Sequence, residues 1–177
     1  MAHKGSKLES LVMLAAAVLE SHGALRLHRW PVPMRVEPRP RQCQCGQWTT
    51  QDTVLWTGHT GSDFFGLTGS GRAVLIEAKM TSRPRLPLGS SSGMTKQQVL
   101  EQLDWHRAGA LALLVWAYGD EVAVIDPDVW CPGEIPKGIS WKEIPFGIKK
   151  PLDCQLEDLL EPYVSIRELS RASSRES

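Results

Sequence analysis

Val74, Leu75 and Ile76 form an unbroken apolar run that ends in Glu77-Ala78-Lys79. A run without polar alternation marks a strand buried on both faces, so the chain must supply a covering layer for each side of a sheet. Side chains alternate along a strand, which puts Glu77 and Lys79 on one side and Ala78 on the other. A carboxylate at the end of such a run costs solvation unless it is neutralised or meets a cation. A second acid stands at the head of Asp63-Phe64-Phe65-Gly66, and the turn sequence Thr68-Gly69-Ser70-Gly71 separates the two segments. The pair reads as a hairpin that brings Asp63 and Glu77 to one end. Hard oxygen donors of this kind suit Mg²⁺ or Mn²⁺, with water completing the shell. Taken alone, the acid-x-lysine spacing favours the plainer alternative, a Glu77–Lys79 salt bridge on a solvated edge.

Around this hairpin the pattern predicts a mixed α/β fold, a mixed central sheet flanked by helices. Leu8, Leu11, Val12, Ala15, Val18 and Leu19 draw one apolar stripe over a helix at about 7–21, with Ser6-Lys7-Leu8-Glu9 as a capping box and Gly23 as its stop. Ala24–Trp30 reads as a strand ended by Pro31-Val32-Pro33. Residues 37–60 read as irregular apart from a short strand at 52–57, and the Arg-, Pro- and Ser-rich stretch 81–94 as a mobile loop. Thr95 opens a second helix whose buried face is predicted from Val99, Leu100, Leu103 and His106. Ala110–Tyr118 and Glu121–Ile125 form a hairpin across Gly119-Asp120. Beyond Asp126 the expectations are a strand at 141–144, a helix at about 152–160 and a disordered tail after 169.

A chain of 177 residues with 42% hydrophobic residues fits one domain with an ordinary core. It has no apolar run of the ~20 residues that span a bilayer and no secretory build at Met1-Ala2-His3-Lys4, so a cytoplasmic protein is expected. Cys43, Cys45, Cys131 and Cys154 are then expected as reduced thiols, and Cys43-Gln44-Cys45 lacks the usual zinc-ligand spacing. The net charge is zero, yet residues 1–100 carry 12 Lys and Arg against 6 Asp and Glu, and residues 101–177 carry 8 against 14. A basic first part holding Asp63 and Glu77 is compatible with a polyanion partner, as it is with scattered solvated charge.

In their order, these segments resemble the PD-(D/E)XK nuclease superfamily and, more narrowly, the RecU family of Holliday junction resolvases. The resemblance covers about Gly5–Ile125. It rests on Gly5-x-Lys7-Leu8-Glu9, Trp30-Pro31-Val32-Pro33, Thr60-x-x-Asp63-Phe64-x-Gly66, Glu77-Ala78-Lys79-Met80-Thr81 with Leu86-Pro87-Leu88, and Gln98 at the start of the second helix. It implies a nuclease core at 1–126 with an inserted arm at about 37–58; residues 127–177, beyond the resemblance, are expected as an extension packed on the same domain. Asp63 and Glu77 become metal carboxylates, the main-chain carbonyl of Ala78 a further ligand, and Lys79 the group that orients water or stabilises phosphate charge. Glu9 and Gln98 (Gln97 if the register shifts by one) join the catalytic neighbourhood. Each also completes a capping box of its own helix.

The implied activity is Mg²⁺-dependent phosphodiester hydrolysis, with Mn²⁺ able to substitute, that resolves four-way DNA junctions through paired cuts by a homodimer. Branched DNA is the expected partner, with no membrane and no small-molecule cofactor, in a bacterial or phage-encoded protein. Arg35, Arg39, Arg41, Trp48, Arg83 and Arg85 are the expected DNA contacts, Trp48 by stacking on unpaired bases. Trp48 and Trp56 serve equally as core residues in the plainer reading. The neutral charge departs from the strongly basic RecU pattern. It keeps open a nuclease for flap, nicked or duplex DNA, and a non-catalytic DNA-binding recombination factor on the same fold.

Overall fold

The computed structural model describes residues 4–29, 34–42, 46–56, 62–145, 148–154 and 157–164. The chain divides into two units, Met1–Arg29 with Gly61–Ser177, and Trp30–Thr60. The larger is built on one six-stranded mixed sheet with helices on its faces, as the hydrophobic pattern predicts.

Its strands are β1 (Leu25–Arg29), β4 (Phe64–Thr68), β5 (Ala73–Thr81), β7 (Leu111–Tyr118), β8 (Glu121–Ile125) and β10 (Lys149–Pro151), in that spatial order. The β5–β7 pair is parallel and every other pair antiparallel. The parallel step requires a crossover, which helix α2 (Lys96–Arg107) supplies. β5 and β7 therefore lie in the middle of the sheet. This explains their unbroken apolar runs, since Val74, Leu75, Ile76 and Leu111–Ala117 are all buried.

Helix α1 (Lys4–Ser21) packs Leu8, Val12, Ala15, Ala16 and Leu19 onto one face of the sheet, against Val74, Ile76, Leu113 and Val115. The opposite face, with Leu114, Trp116, Ala123 and Ile125, is covered by Val99 and Leu103 of α2 and by the chain around Trp130 and Trp141. β4 and β1 approach so closely at Gly66 that any side chain there would collide with the Arg26 carbonyl.

Several expectations are corrected. Ser6 lies inside α1 rather than before it, so Ser6 and Glu9 do not cap this helix. Leu100 is exposed on α2, and its buried positions are Gln98, Val99, Gln102 and Leu103. The stretch 81–94 is anchored rather than a free loop: β6 (Arg85–Pro87) pairs with β9 (Gly138–Ser140), and Leu86 and Met94 are fully buried. Composition misled here because the stretch draws its apolar partners from beyond residue 126. Residues 141–143 form a 3₁₀ turn, not a strand. Residues 157–164 are helical, with Leu159, Leu160 and Val164 in the core and the Tyr163 hydroxyl donating to the Val124 carbonyl at 2.6 Å.

The smaller unit is a two-stranded antiparallel ribbon, β2 (Met34–Gln42) with β3 (Trp48–Trp56), paired one to one from Met34↔Trp56 to Gln42↔Trp48. It replaces the irregular segment expected there. Pro38 and Pro40 are accommodated because prolines two apart share one edge of a ribbon, where both missing N–H groups can face outward. Cys43, Cys45, the Trp30–Pro33 motif and the tail after 169 lie outside the described residues.

Candidate active site

Asp63 and Glu77 meet because of the β4–β5 register. The last pair toward the open end of the hairpin is Phe64↔Ile76, so the next step sets Asp63 opposite Glu77. Asp63 Oδ2 accepts the main-chain N–H of Ala78 at 2.9 Å, which ties the acid across to β5.

Glu77 is 0% exposed; its two side-chain partners meet on one oxygen, and the Asp63 main-chain N–H also acts on its carboxyl. Lys79 Nζ lies 2.6 Å from Glu77 Oε1, and Gln98 Nε2 donates to the same Oε1 at 2.7 Å. Glu77 Oε2 is buried with no hydrogen-bond partner. The salt bridge that the acid-x-lysine spacing suggests is thus present, but it sits on a buried carboxylate rather than a solvated edge. Lys79 itself is 24% exposed, so its ammonium reaches inward from the margin.

Burial dominates the electrostatics. It raises the Glu77 pKa to about 8, aided by the Asp63 charge and opposed by Lys79. Burial likewise raises Asp63, against the pull of the Ala78 N–H and of the Lys79 and Arg29 charges. Glu9, from α1, is raised by burial and then by the Asp63 charge, while Arg29 and Lys79 lower it. Its carboxylate pairs with Arg29 at 3.2 Å. Glu9 therefore shares the field of Asp63 and Lys79, and no three His, Cys, Asp or Glu side chains cluster as a metal-holding group among the described residues.

The donor set nevertheless fits a divalent cation. A buried carboxylate oxygen without a partner, next to a second desolvated acid, is what a hard cation would relieve. Asp63, Glu77 and the Ala78 carbonyl are the groups that would hold it.

Gln98 both closes the capping box of α2 and bonds to Glu77. Its Oε1 accepts from the Thr95 N–H at 3.0 Å and the Thr95 hydroxyl accepts from the Gln98 N–H at 3.2 Å, closing the capping box of α2, while Nε2 reaches Glu77. Gln97 is exposed.

Chain comparisons add a fold likeness. No protein-family model matches this chain, and no curated protein does. Its fold is similar to that of Hjc from Archaeoglobus fulgidus, a Holliday junction resolvase from an archaeal hyperthermophile. The TM-score is 0.41 at 14% identity, over 77% of this chain and 94% of that one.

Arg83 and Arg85 are exposed and line a depression with Met80, Thr81, Ser82, Pro87 and Ser92, just past the end of β5. Thr81 Oγ1 fixes the approach to it, accepting from Trp116 Nε1 at 2.9 Å and donating to the Arg83 carbonyl at 2.8 Å. Arg35, Arg39, Arg41 and Trp48 have their backbone in β2 and β3, and their side chains lie outside the described part of the structure.

The sequence reading missed two polar contacts of a buried serine. Ser62, the residue before Asp63, donates its N–H to Glu101 Oε2 at 2.8 Å and accepts on its hydroxyl from Gln102 Nε2 at 2.9 Å. A polar residue four places after Gln98, on the helix face predicted to be buried, was the available signal.

Proposed function

We propose that this chain is a metal-dependent endodeoxyribonuclease of the RecU type that cuts branched DNA, resolving four-way junctions as a homodimer with one site for each strand. The observation that carries the reading is Glu77: a fully buried carboxylate with one oxygen unpartnered, placed by strand register opposite Asp63 and bridged to Lys79.

A bound Mg²⁺, or Mn²⁺ in its place, supplies Lewis acidity that makes water nucleophilic near neutral pH and offsets charge on the phosphate. The chain's own residues do the rest. Asp63 and Glu77 would hold the cation, and Gln98 fixes the Glu77 carboxylate from α2. Lys79 places an ammonium at the margin of the site, where it neutralises charge that grows on the phosphate oxygens. A water oxygen bonds to phosphorus, the P–O3′ bond breaks, and a proton passes to the leaving oxygen, giving a 5′-phosphate and a 3′-hydroxyl. Arg83 and Arg85 offer phosphate contacts beside the site, and such contacts position a backbone without reading its sequence.

A second reading, a nuclease for flap, nicked or duplex DNA, is favoured by the net charge of zero, because a junction concentrates phosphates. Cleavage of an immobile four-way junction and of a duplex of the same sequence, each with Mg²⁺, separates the two. Preferential cutting of the junction at paired positions is expected. Equal cutting of both removes the resolvase assignment, and equal activity of wild type and Glu77→Ala removes the site.

A further inference from the structure

α2 is the crossover between β5 and β7, and it presents three polar side chains toward the site at positions i, i+3 and i+4: Gln98, Glu101 and Gln102. Residues so spaced share one helix face. On a helix packed against a sheet that face is ordinarily apolar, as Val99 and Leu103 are. Gln102 is 0% exposed, and its Oε1 has no hydrogen-bond partner. Leucine would fill the same space with no unsatisfied amide oxygen, so packing does not account for glutamine here.

The partners of these three side chains do account for it. Gln98 grips Glu77 on β5, whereas Glu101 and Gln102 grip Ser62 through its main-chain N–H and its hydroxyl. Ser62 is itself 0% exposed and is joined directly to Asp63. Asp63 stands just outside the β1–β4–β5 ladder, whose last pairs on this side are Arg29↔Phe64 and Phe64↔Ile76. Strand pairing alone therefore leaves the Asp63 backbone less constrained than that of Glu77. Asp63 is tied to β5 through the Ala78 N–H and its own main-chain N–H toward Glu77, and the two bonds to Ser62 add a constraint from the same helix that orients Glu77.

We propose that Ser62, Glu101 and Gln102 are positioning residues that hold Asp63 at the separation from Glu77 that a shared divalent cation requires. The proposal rests on the reading of Asp63 and Glu77 as the cation site. The three act through the backbone on either side of the Ser62–Asp63 peptide, as outer partners of metal ligands generally do.

The test is calorimetric titration of the purified full chain with Mn²⁺ in the absence of DNA, together with thermal melts of the cation-free protein. Gln102→Leu combined with Ser62→Ala, which removes both ends of the amide–hydroxyl bond, is expected to weaken Mn²⁺ binding about tenfold, while the cation-free melting temperature stays level or rises, because no buried polar group is left without its partner. Opposite movement of the two quantities is the signature of positioning; a purely structural role would lower both. Glu101→Ala is expected to weaken binding similarly, and Glu101→Gln, which retains an acceptor for the Ser62 N–H, to restore most of it. Ser62→Ala alone reads the hydroxyl contact, should the combined variant not fold. Asp63→Asn serves as the control. If it abolishes Mn²⁺ binding while the combined variant, Glu101→Ala and Ser62→Ala bind as wild type, the positioning role is overturned and the cation site stands. If Asp63→Asn also binds as wild type, both fall.

Discussion

Gln98 Nε2 donates to Glu77 Oε1 at 2.7 Å while the other end of the same amide accepts the Thr95 N–H at 3.0 Å, so one side chain caps α2 and orients the buried acid. Either half alone would be an ordinary structural contact. Joined, they couple the start of the helix to the protonation and geometry of Glu77. Gln98→Glu separates the halves, because glutamate at this position still closes a capping box but turns a carboxylate oxygen toward Glu77 in place of a donor. The variant is expected to keep its helix content and lose Mg²⁺-dependent cleavage, with a cation-free melting temperature that falls more steeply than wild type as pH rises. Gln98→Leu also loses the reciprocal half of the capping box, the bond from the Thr95 N–H, while the Thr95 hydroxyl still accepts from the residue 98 main chain. Circular dichroism melts with and without Mg²⁺ distinguish the two variants, and identical curves would show that the Glu77 contact is idle.

The raised Glu77 pKa, about 8 against an ordinary 4.5, makes the cation-free protein sensitive to pH in a definite direction. Between those values the folded protein holds a proton that the unfolded chain has released, so stability decreases with rising pH. The contribution is full below about pH 4.5 and is lost as pH passes through about 8. Asp63, raised by burial as well, adds the same sign at the acid end. Denaturant unfolding in a chelator across pH 5–9 is expected to show this decline, with Glu77→Gln flattening it. Mg²⁺ should oppose it at the alkaline end, where the carboxylate is charged and binds the cation. A flat profile in wild type would mean that Glu77 is already ionised at neutral pH.

The sheet and its acids were legible because their signals are local. An apolar run, an acid-x-lysine and a glycine-rich turn fixed β5, its hairpin partner and the Asp63–Glu77 pairing. The signals that failed depend on residues far along the chain. Leu86 and Met94 are core residues only because Ile139, Trp141 and Ile144 meet them, so a stretch rich in Ser, Arg and Pro was read as free loop. Polarity hid the α2 face in the same way. Hydrophobic periodicity chose Leu100, which is exposed, and passed over Gln102, which is fully buried on a polar partner. For Glu9 the sequence offered a capping box, and the helix instead begins at Lys4, which leaves Glu9 to Arg29.

That Glu9–Arg29 pair is a half-exposed ion pair at 3.2 Å, and pairs of this kind contribute at most about 1 kcal/mol. Glu9→Gln is therefore expected to change the melting temperature by no more than a few degrees. Its effect on function is expected to be larger, since the Glu9 carboxylate lies in the field of Asp63 and Lys79. The half-saturating Mg²⁺ concentration for cleavage should rise severalfold. An unchanged Mg²⁺ requirement would assign Glu9 to the surface of α1 and nothing more.

Thr81 bridges the buried Trp116 indole N–H and the Arg83 carbonyl, and so links the sheet core to the arginine-bearing turn. Thr81→Val keeps the side chain's shape and removes both bonds, leaving the Trp116 N–H unsatisfied at a cost of about 1–3 kcal/mol. DNA affinity is expected to drop severalfold together with this loss of stability, while Mn²⁺ binding without DNA is unchanged. Arg83→Ala with Arg85→Ala should lower DNA affinity without the stability loss and flatten its dependence on salt. Fluorescence anisotropy over a salt series checks both, and an unaltered salt slope in the double variant would place the DNA path elsewhere.

Lys79 is the cation bonded to Glu77 among the described residues, and its removal has two consequences that move together. Lys79→Met keeps the apolar stem and deletes the ammonium 2.6 Å from Glu77 Oε1. Without that charge, the Glu77 pKa rises further, because Lys79 is among the groups that lower it. The pH-dependent decline in cation-free stability should accordingly extend to higher pH. At saturating Mg²⁺ and DNA the cleavage rate should fall about 10²–10³-fold, the usual consequence of deleting one fixed charge or donor from a transition-state site. Lys79→Arg is expected to recover only part of this, since a planar guanidinium cannot take the place of a compact ammonium against a single carboxylate oxygen. Single-turnover rates read the chemical step directly, and a Lys79→Met rate equal to wild type would leave Lys79 as no more than the counter-ion of a buried acid.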